Sequence, residues 1–168
     1  RRNGNWDIYL YDLGAGVERQ ITTDPATQNS PAISGNGIVW LDERHGTVEV
    51  YYYDLTTNTE QRITNNQLVL KSYPAIEGSS IVWLQGNFGH VIYLHTVGGS
   101  TQALPPPGST KYGLDIKGTR LVWQDYRFSL YGDIFSLDLI SGQERQLTNT
   151  PGSGEGAPDI DGNLVVWE

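Results

Sequence analysis

The segment Asp7-Ile8-Tyr9-Leu10-Tyr11-Asp12-Leu13 comes back as Glu49-Val50-Tyr51-Tyr52-Tyr53-Asp54-Leu55, Val91-Ile92-Tyr93-Leu94-His95-Thr96-Val97 and Asp133-Ile134-Phe135-Ser136-Leu137-Asp138-Leu139. Each return lies 42 residues after the last. Three further markers keep order with it. The first is Ile38-Val39-Trp40, Ile81-Val82-Trp83, Leu121-Val122-Trp123 and Val165-Val166-Trp167. The second is Gln20-Ile21-Thr22, Arg62-Ile63-Thr64 and Gln146-Leu147-Thr148, with Ala103-Leu104-Pro105 as a weak copy. The third is Pro31-Ala32-Ile33, Pro74-Ala75-Ile76, Leu114-Asp115-Ile116 and Pro158-Asp159-Ile160. Four markers in one order, four times over, define a repeat of one supersecondary unit.

Each unit reads as four short strands. Strand a carries Pro-Ala-Ile and turns tightly through Gly35-Asn36-Gly37 or its equivalent, where glycine supplies positive φ without steric cost. Strand b carries Ile-Val-Trp, strand c the Asp-Ile-Tyr alternation of period two, and strand d Gln-Ile-Thr. The d–a loops are Thr23 to Ser30, Asn65 to Tyr73, Pro106 to Tyr112 and Asn149 to Ala157. No stretch has a helical apolar period. The expectation is a single all-β domain over residues 1–168.

The 168 residues include 20 Gly, 8 Pro and no Cys, and 11 basic against 19 acidic residues give a net charge of −8. Without Cys there is no disulfide framework, Cys-ligated zinc or thiol nucleophile. A sequence pI near 4.7 argues against nucleic acid or an anionic membrane surface as partner. No apolar run reaches the length of a membrane span, so no membrane insertion is expected. The opening Arg1-Arg2, without Met or an apolar leader, reads as an excised or processed piece of something longer.

An antiparallel four-stranded unit recurring every 42 residues is the pattern of a β-propeller blade. The motifs resemble the TolB-type, WD40-like propeller repeat of bacterial periplasmic and archaeal or bacterial cell-surface proteins, over the whole chain. The third copy departs, with Thr96 for Asp and Pro105-Pro106-Pro107 in its loop. The resemblance implies a propeller of four four-stranded antiparallel blades and a binding habit, and a secreted, cell-surface or periplasmic setting. The chain opens on strands c and d and closes on a and b. Across Glu168 and Arg1, Trp167 and Tyr9 stand ten positions apart, as Trp83 and Tyr93 do. Residues 163–167 are therefore expected to pair with residues 6–13 and complete a blade, within one chain or between copies. Unpaired edges this apolar would invite aggregation.

Nothing in the sequence assembles chemistry. His45, His90 and His95 have no metal-ligand spacing, and no nucleophile elbow occurs. No enzyme activity, metal or cofactor is expected. Asp12, Asp54 and Asp138 precede the c–d turns, where an Asp side chain accepts backbone N–H bonds. Trp40, Trp83, Trp123 and Trp167 suit packing between sheets better than a sugar-stacking ring, while Trp6, replaced by Val48 in the next copy, is the aromatic expected outside. Asp115 and Asp159 replace Ala32 and Ala75 on strand a, which would line a propeller channel. Two carboxylates there would raise one pKa or recruit water or a cation.

Antiparallel strands send the b–c hairpins and d–a loops to one face, where rigid scaffolds carry function. The b–c hairpins differ most between copies. On that ground Asp42, Arg44, Asp125 and Arg127, with Trp6, are expected to be exposed there and to contact a protein or glycan partner. The expected function is a non-catalytic scaffold or protein-binding module. The alternatives are a subunit of a filament or array joined through half-blades, and a carbohydrate-binding propeller.

Overall fold

The computed structural model describes residues 4–87 and 90–168; Arg1–Asn3, including the opening arginines, and the side chains of Pro106 and Pro107 lie outside the description. Among the described residues all regular structure is strand. The chain begins with β1 (Tyr9–Asp12) and β2 (Val17–Gln20), a two-stranded sheet. Three complete antiparallel four-stranded sheets follow. The first is β3 (Gln28–Ser34), β4 (Gly37–Asp42), β5 (Glu49–Asp54) and β6 (Thr59–Arg62). The second is β7 (Lys71–Glu77), β8 (Ser80–Gln85), β9 (His90–Thr96) and β10 (Thr101–Ser109). The third is β11 (Lys111–Lys117), β12 (Arg120–Asp125), β13 (Asp133–Asp138) and β14 (Glu144–Gln146). The chain closes on a pair, β15 (Asp159–Asp161) and β16 (Leu164–Val166).

The a-b-c-d order and its register follow the repeat. Trp40 faces Tyr51, Trp83 faces Tyr93 and Trp123 faces Phe135 across the b–c pairs. These rings stack at 5.8, 5.6 and 6.1 Å. The three indoles are at most 1% exposed, so they are core. One cluster joins Val39, Leu41, Val50 and Tyr52 of the first sheet to Ile76, Ile81 and Trp83 of the second. Another joins Ala75, Val82 and Leu94 of the second to Leu114, Leu121 and Trp123 of the third. The packing thus runs from sheet to sheet, with β3 against β7, β7 against β11 and β11 against β15.

Strand a breaks register once in each complete sheet, at a bulge. The residues there, Ser30, Tyr73 and Gly113, have φ of 53°, 50° and 58°, and Ala157 at 47° holds the same place before β15. Asp12, Asp54 and Asp138 cap the c–d turns as expected, each Oδ1 accepting backbone N–H bonds from the turn. The proline run is not loop but part of β10, in the stretch where that strand's register shifts. β10 is the outer strand of its sheet, where a missing N–H leaves no ladder partner short.

The ends correct one expectation. Residues 163–167 do not pair with residues 6–13 in this chain: among the described residues β16 bonds β15, and β1 bonds β2. Successive sheets pack on one another, and among the described residues no pairing joins the last strand to the first. The cost is visible on β16. Val166 is 63% and Trp167 46% exposed, where Val122 and Trp123 are fully buried.

Candidate functional site

The b–c hairpins were expected to present Asp42, Arg44, Asp125 and Arg127 to a partner. The structure buries them instead. Asp42 and Asp125 are fully buried, and the side chains of Arg44 and Arg127 keep 19% and 15% of their exposure. The reason lies in the strand period. Residues two apart share a face, so Asp42 and Asp125 follow Trp40 and Trp123 into the core. There they accept the indole N–H, at 2.9 and 3.0 Å, which a buried Trp needs satisfied. Arg44 and Arg127 then fold back to 2.6 and 2.5 Å from those carboxylates. Each also binds the outer strand, through Glu60 at 2.6 Å and Glu144 at 2.7 Å. The guanidinium planes lie 4.5 Å over Tyr51 and 4.3 Å over Phe135.

These are staples across three strands. Burial pushes the Asp125 carboxyl up, but hydrogen bonds from Arg127, Ser109 and Trp123 and the Lys111 charge outweigh it and hold the pKa at about 2. Asp42 is lowered by the same contest of burial against Arg44 and Trp40. The second sheet has Gln85 in that place, accepting from Trp83 Nε1 at 3.2 Å without an arginine.

Another repeated staple went unnoticed in the sequence. Thr22, Thr64 and Thr148 accept the N–H of Ile8, Val50 and Ile134 at 2.8–2.9 Å. In the first two copies the hydroxyl also donates to the acid that opens strand c, Asp7 or Glu49. The signal is the Thr that closes the Gln-Ile-Thr marker in three of the four copies.

The hairpin face exposes other side chains. Phe128, Leu130 and Tyr131, in the hairpin between β12 and β13, are 73%, 92% and 55% exposed. Leu68 and Leu70 in the loop before β7 are exposed as well. Tyr112 meets Tyr73 and Tyr126 edge-on, at 6.4 and 5.7 Å, and His90 at 5.8 Å. Trp6 is outside as expected, at 51% exposure. His95 packs, with Nδ1 2.9 Å from Thr101 Oγ1, and burial lowers its pKa. Asp115 and Asp159 do come together, sharing one backbone donor, the N–H of Ile160. Among the described residues no three His, Asp or Glu groups are placed to hold a metal.

No protein-family model and no curated protein matches the chain. Solved structures do. A protein described as TolB from Agrobacterium tumefaciens matches with a TM-score of 0.65 at 20% identity, over 84% of this chain and 56% of its own. An acylaminoacyl peptidase of Pyrococcus horikoshii gives 0.68 at 20% identity, over 88% and 23%. A chain of a nidogen/laminin complex gives 0.64 at 14% identity, over 92% and 63%. The fold is that of a β-propeller. At these identities the likeness speaks for fold alone, and the chain spans little more than half the length of the TolB protein.

Proposed function

We propose that the chain is a non-catalytic β-propeller scaffold of a secreted or cell-surface protein, and that it binds a protein partner on its hairpin face. The observation that carries this is the division of labour in the hairpins. Their charged residues are consumed by internal staples, while Phe128, Leu130 and Tyr131 stand in water at the tip. Apolar groups clustered on a rigid face favour a partner over solvent. The propeller of the peptidase neighbour argues the other way only if a second domain brings the chemistry. The test pairs a panel of chromogenic amide and ester substrates with a glycan array. No turnover and no glycan signal are expected; turnover lost on a single Ser or His substitution would replace this reading with an enzyme.

A second reading concerns the four blades. Val166 and Trp167 are open where their counterparts are covered by strand c, and β1 is a strand c. The register Trp167 to Tyr9 matches the internal pairs. We infer that β16 receives β1 from another copy, since within the chain the two strands are not paired. Light scattering on the 168-residue chain is expected to give a multiple of 18.6 kDa, and deletion of residues 163–168 to return it to one copy. A single-copy mass before and after deletion would count against the pairing.

A further inference from the structure

Four residues before the strand-a positions Ala32, Ala75, Asp115 and Asp159 stand Gln28, Lys71, Lys111 and Glu155. That residue faces the preceding sheet, whose strand c is headed by Asp7, Glu49, Val91 or Asp133. Between the first and second complete sheets the charges cancel. Lys71 Nζ lies 3.0 Å and Arg62 Nη2 3.3 Å from the Glu49 carboxylate, which also accepts the Thr64 hydroxyl. The preceding seam sets Asp7 against uncharged Gln28, and the following one Val91 against Lys111.

The last seam, between the third complete sheet and β15–β16, sets acid against acid. Asp133 is 3% and Glu155 8% exposed. Gln146 stands where Arg62 stood. The Thr148 hydroxyl, 3.1 Å from Glu155 Oε2, has turned from the strand-c acid to the incoming one. The Glu155 N–H donates to the Gly132 carbonyl at 3.2 Å, which fixes Glu155 beside the start of β13.

A second pair lies in the same seam. The Ile160 N–H is 3.2 Å from Asp115 Oδ2 and 3.1 Å from Asp159 Oδ1. The equivalent places across the earlier seams are Ala32 with Ala75, and Ala75 with Asp115. The cations nearby are engaged elsewhere. Lys111 and Arg127 turn to Asp125, and Arg127 also to Glu144. Lys117 lies between Glu77 and Asp161, Arg120 binds Asp138 and Asn163, and Arg145 binds Gln143. A cleft of about 260 Å³, lined by Arg120, Arg145, Ile160 and Val165 among others, opens at this seam. Burial, then the facing Glu155 charge, pushes Asp133 above the usual carboxylate range; burial and the contact with Asp159 do the same to Asp115.

We propose that this seam is an acid-tightened joint, closed when Asp133 and Asp115 are protonated and loosened when they are charged beside Glu155 and Asp159. A carboxyl whose folded pKa is raised contributes stability that is complete below its unfolded value, about 3.9 for Asp, and is lost as pH rises through the raised value. The last half-blade is therefore held more tightly in acid than at neutral pH.

Amide hydrogen exchange, corrected for the intrinsic rate, tests this at Glu155 and Ile160, whose N–H groups bond across the seam, and at Glu168, bonded to Gly156 within the last half-blade. Their protection is expected to fall from pH 4 to pH 7, as the raised carboxyls lose their protons. Ile63 and Val97, bonded within the complete sheets, are expected to hold constant. Glu155→Lys, which rebuilds the Glu49–Lys71 seam, and Asp115→Asn are each expected to reduce the response. Either variant suffices if the other fails to fold. Equal protection at both pH values in the unaltered chain, or a full response in both variants, would overturn the proposal.

Discussion

Trp83→Ala is expected to destabilise the chain by about 3–5 kcal/mol, the usual range for a buried Trp. Whole domains of this size are held by only about 5–15 kcal/mol, so the variant stands close to unfolding. Trp83 is 1% exposed, stacks on Tyr93 at 5.6 Å and sits in the cluster that joins the first and second complete sheets. Removing it opens a cavity between two sheets rather than within one, where neither can relax without losing the other. A shift of the urea midpoint at unchanged slope checks this. Leu130→Ala, at a 92% exposed position, is the control and is expected to change stability by less than about 0.5 kcal/mol.

Charge reversal at Arg127 is the second large effect. The sequence places Arg44 and Arg127 in hairpins expected to be exposed, and an exposed arginine tolerates charge reversal. The buried pairs predict the opposite. Arg127→Glu removes the guanidinium that stands 2.5 Å from the fully buried Asp125 and puts a like charge on the same hairpin. Breaking a buried pair by loss of one member costs about 3–5 kcal/mol, because the other charge stays desolvated. Arg44→Glu should behave alike through Asp42 and Glu60. The pair also gives the chain an acid limit. The Asp125 pKa is depressed to about 2, so its contribution is present above the unfolded value of about 3.9 and lost as pH falls through about 2. Chemical denaturation of Arg127→Glu and the unaltered chain should differ most near neutral pH and converge toward pH 2. A difference independent of pH would assign the loss to packing over Phe135 instead.

The staples show why part of the candidate site was hidden. Trp40-Leu41-Asp42-Glu43-Arg44 and Trp123-Gln124-Asp125-Tyr126-Arg127 are the same pattern twice, and period two already places Trp and Asp on one face. What spacing does not convey is that the hairpin lets a long arginine fold back over the strand pair to Glu60 or Glu144. The second sheet differs through Gln85, which satisfies its indole without a salt bridge, so the difference between copies marks another partner for the Trp and not freedom from packing. Phe128, Leu130 and Tyr131 were passed over for the complementary reason. In sequence they resemble core residues, and only the hairpin's geometry puts them in water.

Local rules made the strand content, the a-b-c-d order, the b–c register and the Asp-capped turns legible in the sequence. Alternation, turn chemistry and the 42-residue spacing act between near neighbours and leave their mark residue by residue. The relation of one sheet to the next is of another kind. Whether Glu49 meets Lys71, whether Asp133 meets Glu155, and whether β16 meets β1 depend on how successive sheets rotate and pack. Those contacts join residues with no common strand or turn, and their charges decide stability only once burial removes the water between them.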